Sequence, residues 1–148
     1  MKVLVVSSVG GHLTEVMELA PVLHDHEVVL VVNDEVDLPS FPFTRVYRIA
    51  HAERDARVLL NVSEAATILL AERPAVIVST GAGPVVPVAV VARALSDARI
   101  IFIETAAAVE RPTLTGRLMY GLAHRFYVQW PGLRRWFPKA DLLPLVFG

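Results

Sequence analysis

The chain contains no cysteine, and this absence excludes disulfide bonds, thiolate metal sites and thiol nucleophiles. Charged residues make up only 20% of the 148 positions and aromatic residues 7%, whereas 54% are hydrophobic, a composition that excludes an intrinsically disordered chain. No apolar run approaches the roughly 20 residues of a membrane-spanning helix. The longest one, residues 84–92, is interrupted by Pro87. We therefore expect a globular domain that does not cross a membrane and that is compatible with a reducing compartment.

A length of 148 residues fits one domain, residues 1–148, and leaves no room for a second full-sized lobe. Any function that needs a second lobe must therefore take it from another chain. The first apolar run, residues 3–6, is far too short for the apolar core of a signal peptide, so we expect no export.

Positive and negative charges are unevenly distributed along the chain. Residues 1–110 hold 8 basic against 14 acidic side chains, while residues 111–148 hold six basic side chains against Asp141 alone. This basic tail also contains Trp130 and Trp136, next to Arg134 and Arg135. Such a segment is predicted to contact anionic lipid headgroups or a partner protein. The alternative is an ordinary terminal helix with solvated charges.

Short runs of β-branched residues without polar alternation are typical of strands buried on both faces of a parallel sheet. They occur at residues 3–6, 28–32, 75–78 and 100–103, and shorter strands are predicted at 45–49 and 126–128.

Helical spacing separates these predicted strands. Residues 55–73 form the clearest helix, with one apolar face made of Val58, Leu59, Val62, Ala65, Ala66, Leu69 and Leu70. Further helices are predicted from Gly11 or His12, at 85–95 and at 115–123, and Pro21 ends or kinks the first of them. The alternation predicts an α/β fold with a single Rossmann-like, doubly wound parallel sheet.

In such sheets ligands bind beyond the carboxyl ends of the strands. After the first strand, Gly10 and Gly11 precede a helix whose amino-terminal N–H groups favour an anion such as phosphate. His12 follows on the first turn, where an imidazole can exchange a proton at neutral pH. The alternative is a tight turn followed by a surface histidine. A dinucleotide fingerprint is absent, because the two glycines are adjacent.

Two further strand ends carry polar residues. One segment contains Ser79, Thr80, Gly81 and Gly83, and it repeats the geometry of an anion-binding helix start, although a plain turn would have the same composition. The other contains Glu104, a carboxylate that is a candidate sugar ligand, general base or orienting group for His12, or simply a charge at the sheet edge.

Five motifs in this order resemble the Alg14-like family, which includes bacterial polysaccharide-biosynthesis proteins of the PssD and EpsE kind. They are GGHLTE (10–15), VSTGAGPVVP (78–87), IFIET (101–105), PTLTGRLMYGLAHRFYVQW (112–130) and PLVFG (144–148), so the resemblance covers nearly the whole chain. It implies the amino-terminal, acceptor-side half of a GT-B glycosyltransferase, whose nucleotide-sugar half is a separate Alg13- or PssE-like subunit.

The resemblance also assigns residues. Gly10, Gly11 and His12 match a loop that faces the diphosphate and acceptor end of a polyprenyl-linked substrate in related lipid-sugar transferases. Ser79, Thr80, Gly81 and Gly83 match the family's second glycine loop, and Glu104 matches its strand-end glutamate. The family commonly has Ser after this glutamate and Arg three positions later, where this chain has Thr105 and Ala108. Arg111 is the nearby candidate for the phosphate contact of that arginine.

The implied reaction is an inverting, metal-independent transfer from a UDP-sugar to a polyprenyl-diphosphate-linked acceptor in polysaccharide biosynthesis, active only with the partner subunit. His12 is expected to be the base, with Glu104 as the alternative base or its orienter. No cofactor and no nucleic-acid partner are expected, and the location implied is cytoplasmic, peripheral on the inner face of the cell membrane. Two alternatives remain: a non-catalytic scaffold that recruits the donor-binding subunit to the membrane, and a stand-alone nucleotide-binding domain.

Overall fold

Seven parallel strands form one sheet in the computed structural model, which describes residues 1–8, 11–33, 37–49, 57–81 and 84–144. The strands are β1 (Lys2–Ser7), β2 (Glu27–Val32), β3 (Arg45–Arg48), β4 (Val76–Ser79), β5 (Arg99–Ile103), β6 (Arg125–Val128) and β7 (Asp141–Leu142). All six predicted strands are confirmed, each to within one residue at either end. The two-residue strand β7 was not predicted, because so short a segment has no periodicity to detect.

In the described part of the chain, five α-helices and one 3₁₀ helix connect the strands: α1 (Gly11–Met17), α2 (Ala20–Leu23), α3 (Arg57–Glu72), α4 (Val85–Leu95), α5 (Leu114–Leu122) and the 3₁₀ helix Pro131–Arg135. The interruption predicted from Pro21 is confirmed, because this proline lies in the first turn of α2 and not inside α1. Within the basic tail, α5 confirms the helix predicted at 115–123, and residues 131–135 form a single 3₁₀ segment.

The sheet is covered on both faces, as the unbroken apolar runs predicted. Along β1, Leu4 and Val6 pack in the cluster beneath α3, α4 and α5, while Val3 and Val5 pack with α1 and residues 38–43 on the opposite face. Because strand side chains alternate between faces, both sets of β1 side chains can be buried. The doubly wound fold is therefore confirmed.

Helix α3 buries only part of the expected face, since Ala65 and Leu69 are buried as predicted. Leu59 and Leu70 are 75% and 61% exposed, whereas Asn61, Ile68 and Glu72 are buried. The apolar arc of this helix is wider than the strip that the sheet and α4 cover, so periodicity identified the helix but not the centre of its buried face.

The strand order reverses between β1 and β4, which lie side by side with Val5 opposite Val78. Loops from adjacent strands diverge at such a point and leave a crevice at the carboxyl edge of the sheet. The loop after β1 and the loop after β4 border this crevice.

A cluster of ion pairs lies at the opposite edge of the sheet, at the amino-terminal ends of β1 and β3. The Glu72 carboxylate accepts hydrogen bonds from Lys2 Nζ at 3.0 Å, Arg45 Nε at 2.5 Å and Tyr47 Oη at 2.6 Å. The hydrogen bond from Arg45, with those from Tyr47 and Lys2, lowers the pKa of Glu72 from 4.5 to about 2, against the opposing effect of burial. This cluster ties the end of α3 to β1 and β3, far from the crevice.

Candidate functional site

Two hydrogen bonds join His12 to the loop after β4, at the point where the strand order reverses. His12 Nδ1 lies 3.2 Å from the carbonyl oxygen of Thr80, and the Thr80 hydroxyl donates to the His12 carbonyl oxygen at 2.7 Å. The two contacts join residues 68 positions apart in sequence. The structure therefore brings together two segments that sequence analysis had identified separately.

The hydrogen bond to Thr80 selects the tautomer of His12. A carbonyl oxygen can only accept, so Nδ1 is the donor, and in the neutral ring Nε2 is then the nitrogen without a proton. The side chain of His12 is partly exposed. The geometry thus supplies an oriented imidazole whose Nε2 can receive a proton.

Gly81 allows His12 to take this position. Its φ is +133°, and a Cβ atom there would lie 2.7 Å from His12 Cε1 and 2.9 Å from Nδ1. Side chains rarely adopt this backbone conformation, and the imidazole occupies the space that a methyl group would need. Gly81 is therefore required for close packing of the ring, a role that differs from the predicted phosphate contact.

The hydroxyl groups of Ser79 and Thr80, which were predicted to contact phosphate, face the interior of the protein. Ser79 and Thr80 are both fully buried. The Ser79 hydroxyl donates to the Gly81 carbonyl at 3.0 Å and accepts from the Gly81 N–H at 3.1 Å, while Thr80 is bonded to His12 as above. Both hydroxyls thus shape the loop instead of facing the crevice.

The start of α1 is open on the side of Gly11. This residue is exposed, and no heavy atom of the described chain lies within 4 Å of the position a Cβ would take. The contact of an anion with the backbone at Gly11 stays a prediction. Gly10 and Gly83, predicted for the same contacts, lie outside the described residues.

Glu104 is not available as a base in this structure. Its carboxylate is fully buried and accepts hydrogen bonds from Thr105 N, from Thr113 N and from the Thr113 hydroxyl at 2.9–3.1 Å. Thr113 is the N-cap of α5, and a Cβ on Gly116 would overlap the Glu104 carboxylate. Glu104 therefore holds the amino terminus of α5. Among the described residues, the hydrogen-bond partners of this carboxylate are Thr105 and Thr113 and not His12.

A second buried carboxylate, Glu15, was missed as a site residue although it ends the GGHLTE motif. It lies on α1 and accepts from the Thr105 hydroxyl at 2.7 Å, from Ala106 N at 3.2 Å and from Gln129 Nε2 at 3.2 Å. A charged residue on the sheet-facing side of a helix, three positions after the candidate base, is the signal that could have identified it.

The two tryptophans of the basic tail hold the loop between β5 and α5, residues 104–113. Trp130 Nε1 donates to the Ala106 carbonyl at 2.7 Å, and Trp136 Nε1 donates to the Glu110 carbonyl at 3.1 Å. Trp130 is partly buried, whereas Trp136 is 41% exposed. The indole N–H groups therefore face the protein, and only Trp136 retains the exposure expected of a surface contact.

The arginines predicted for surface contacts remain exposed. Arg135 lies with its guanidinium 5.6 Å from the centre of the Trp136 ring, and Arg117 lies 5.3 Å from the same ring. Arg134 Nε donates to the Ala140 carbonyl at 3.2 Å. Arg111 is exposed on the loop 104–113. Arg117, Arg135 and Trp136 thus form a cationic and aromatic surface.

The described residues contain neither a cluster of metal ligands nor a helix that could cross a membrane. No group of three or more His, Asp or Glu side chains in that part of the chain could hold a metal ion. None of its helices is both long and apolar enough to span a membrane.

The solved structures that this chain is similar to include MurG from Acinetobacter baumannii, with a TM-score of 0.74 and 14% identity. The match covers 96% of this chain and 44% of that one. UDP-GlcNAc 2-epimerase from Methanocaldococcus jannaschii, in complex with UDP-GlcNAc and UDP, gives a TM-score of 0.73 at 15% identity, covering 96% of this chain and 46% of the epimerase. The chain therefore spans less than half of these structures, and its fold is that of the amino-terminal half of GT-B.

Sequence comparisons identify relatives that share one description. The human UDP-N-acetylglucosamine transferase subunit ALG14 is 25% identical, over 97% of this chain and 82% of the relative. The protein of the same description from Candida albicans is 36% identical over 51% of this chain and 37% of its own length. The family model "Oligosaccharide biosynthesis protein Alg14 like" matches residues 32–146. The chain belongs to the Alg14-like family.

Proposed function

We propose that this protein is the acceptor-binding subunit of a two-component glycosyltransferase, which transfers a sugar from a UDP-sugar to a polyprenyl-diphosphate-linked acceptor in polysaccharide biosynthesis. The observation that carries the proposal is that 96% of this chain matches only 44% of MurG. Its relatives are named as transferase subunits, which agrees with a second lobe carried by another chain. That chain is an Alg13- or PssE-like subunit that holds most of the UDP-sugar.

In this proposal His12 is the general base. Its Nε2 takes the proton from the acceptor hydroxyl while the hydroxyl oxygen forms a bond to the anomeric carbon of the sugar. The bond from that carbon to UDP breaks, and UDP leaves with the electron pair. Positioned proton transfer contributes about 10²- to 10⁴-fold in rate. The Thr80 carbonyl keeps the ring in the required tautomer, and the exposed backbone at Gly11 faces the acceptor diphosphate.

A cluster of exposed apolar and basic side chains supports peripheral membrane binding. Val109, Leu114 and Leu118 are 48–56% exposed, and Trp136 is 41% exposed. Arg111, Arg117 and Arg135 are exposed beside them on the same segments. Each cation near an anionic membrane surface contributes about 1 kcal/mol. We propose that this cluster places the crevice at the inner face of the cell membrane, next to its lipid-linked acceptor.

The proposal is tested with the complex formed by this chain and a donor-binding subunit from the same genome, assayed for transfer of labelled sugar to a polyprenyl-diphosphate acceptor. We expect the His12→Ala complex to lose about 10²-fold or more of kcat. His24→Ala is the matched control, because His24 is an exposed histidine at the C-cap of α2, near the opposite edge of the sheet. Normal turnover by His12→Ala would instead leave this subunit the role of a non-catalytic membrane recruiter.

A further inference from the structure

The Glu15 carboxylate connects the helix that carries His12 to two other elements of the site. Only 7% of Glu15 is exposed. Both of its oxygens accept hydrogen bonds: Oε1 from the Thr105 hydroxyl and Ala106 N, and Oε2 from Gln129 Nε2. These three donors lie 90, 91 and 114 positions away in sequence, on the loops that follow β5 and β6. Glu15 therefore joins α1 to both loops.

Burying a carboxylate is costly unless several donors replace its water, so these bonds act as a unit. Gln129 extends the unit, since its Nε2 also donates to the Glu104 carbonyl at 3.1 Å. Thr105 extends it further, because its hydroxyl accepts from Ala107 N at 3.3 Å while donating to Glu15. The first turn of the loop 104–113 is thus folded around the Glu15 carboxylate.

The same loop then leads to exposed groups beside the crevice. Val109 and Arg111 are exposed on it, and it ends at Thr113, the N-cap of α5. Trp130 and Trp136 bind its carbonyl groups at Ala106 and Glu110 independently of Glu15. Loss of the Glu15 contacts would therefore change the position of the loop relative to α1 without releasing the loop from the domain.

We infer that Glu15 is a positioning residue. It holds the loop 104–113 at a fixed position relative to His12, so that Arg111 and the base act on one acceptor molecule. This inference rests on the proposed function. Glu15 itself is too buried to contact substrate, and it acts through Thr105 and Ala106. Its role concerns the acceptor side of the reaction, because the donor is held mainly by the partner subunit.

The experiment compares Glu15→Gln, Thr105→Val and Thr105→Ser in the complex with the donor-binding subunit, measuring kcat and the KM of each substrate. Glu15→Gln places an NH₂ group where the neighbouring groups are also donors, and Thr105→Val removes the hydroxyl that donates to Glu15. Both substitutions are expected to raise the acceptor KM about tenfold, because each removes a hydrogen bond to a charged group. The donor KM is expected to stay unchanged. Thr105→Ser keeps the hydroxyl and is expected to stay within about twofold of the wild type.

Glu72→Gln is the matched control, because Glu72 is another buried, hydrogen-bonded carboxylate, at the opposite edge of the sheet. It is expected to lower stability and to leave the acceptor KM unchanged. Equal acceptor KM changes in Glu72→Gln and Glu15→Gln, or equal changes in donor and acceptor KM, would overturn the inference.

Hydrogen exchange of the full chain without its partner separates this inference from the proposed function. The amides of Ala106, Ala107 and Ala108 are expected to exchange faster in Glu15→Gln and Thr105→Val than in the wild type or in Thr105→Ser. Unchanged exchange would overturn the inference even in an active enzyme. Faster exchange in these two variants, found together with a wild-type complex that transfers no sugar, would support the connection through Glu15 and reject the proposed reaction.

Discussion

Replacing Gly81 by alanine tests the packing that orients His12. The added Cβ would lie 2.7 Å from His12 Cε1, and residue 81 would have to keep a φ of +133°. A non-glycine residue held in such a conformation costs about 1–3 kcal/mol. Because the imidazole is the neighbour that obstructs the methyl group, part of this strain is relieved by moving the ring away from the Thr80 carbonyl.

Two measurements follow from this reasoning. In a domain of this size we expect the unfolding temperature to fall by about 5 °C, and we expect kcat of the complex to fall up to about 10²-fold as the base loses its orientation. In NMR spectra of the isolated Gly81→Ala chain, the ring resonances of His12 are expected to shift from their wild-type positions.

Gly121→Ala is the matched control. Gly121 lies in α5, and a Cβ there has no described heavy atom within 4 Å. Alanine at this helical position is expected to be neutral or to stabilise by up to about 1 kcal/mol. A Gly81→Ala protein with wild-type unfolding temperature and wild-type turnover would refute the packing argument. A destabilised protein with full turnover would refute only the role of the ring orientation.

Two further predictions concern the carboxylates outside the crevice. Gly116→Ala is expected to destabilise the protein by about 2–3 kcal/mol in urea unfolding, because its Cβ would overlap the buried Glu104 carboxylate; a change below about 0.5 kcal/mol would show that Glu104 does not pack under α5. For Glu72, the folded-state pKa of about 2 lies below the ordinary 4.5, so its stabilisation is complete above pH 4.5 and is lost as pH falls towards 2. The shift corresponds to about 3 kcal/mol before screening, and to about 1–2 kcal/mol after it because Arg45 is 49% exposed. Unfolding free energies of wild type and Glu72→Gln should therefore converge below pH 4, and a constant difference would contradict the cluster.

The strands and most helices could be predicted from sequence, because short β-branched runs and a 3.6-residue spacing are local signals. The helix starts at Gly11 and Val85 were confirmed for the same reason, since adjacent glycines and prolines constrain only nearby residues. The buried face of α3 was predicted less well. Its exposed leucines, such as Leu59, have the same local pattern as buried ones, and only neighbouring elements decide which are covered.

The sequence alone determined that a doubly wound sheet would bring glycine-rich loops, an imidazole and a glutamate to one edge. The tertiary structure decided what each group does there. Glu104 binds Thr113, the N-cap of α5, Gly81 makes room for His12, and Glu15 holds the loop 104–113. The physical reason is that these contacts join residues as many as 91 positions apart. Their existence depends on the strand order and on burial, neither of which is encoded in any local stretch of the chain.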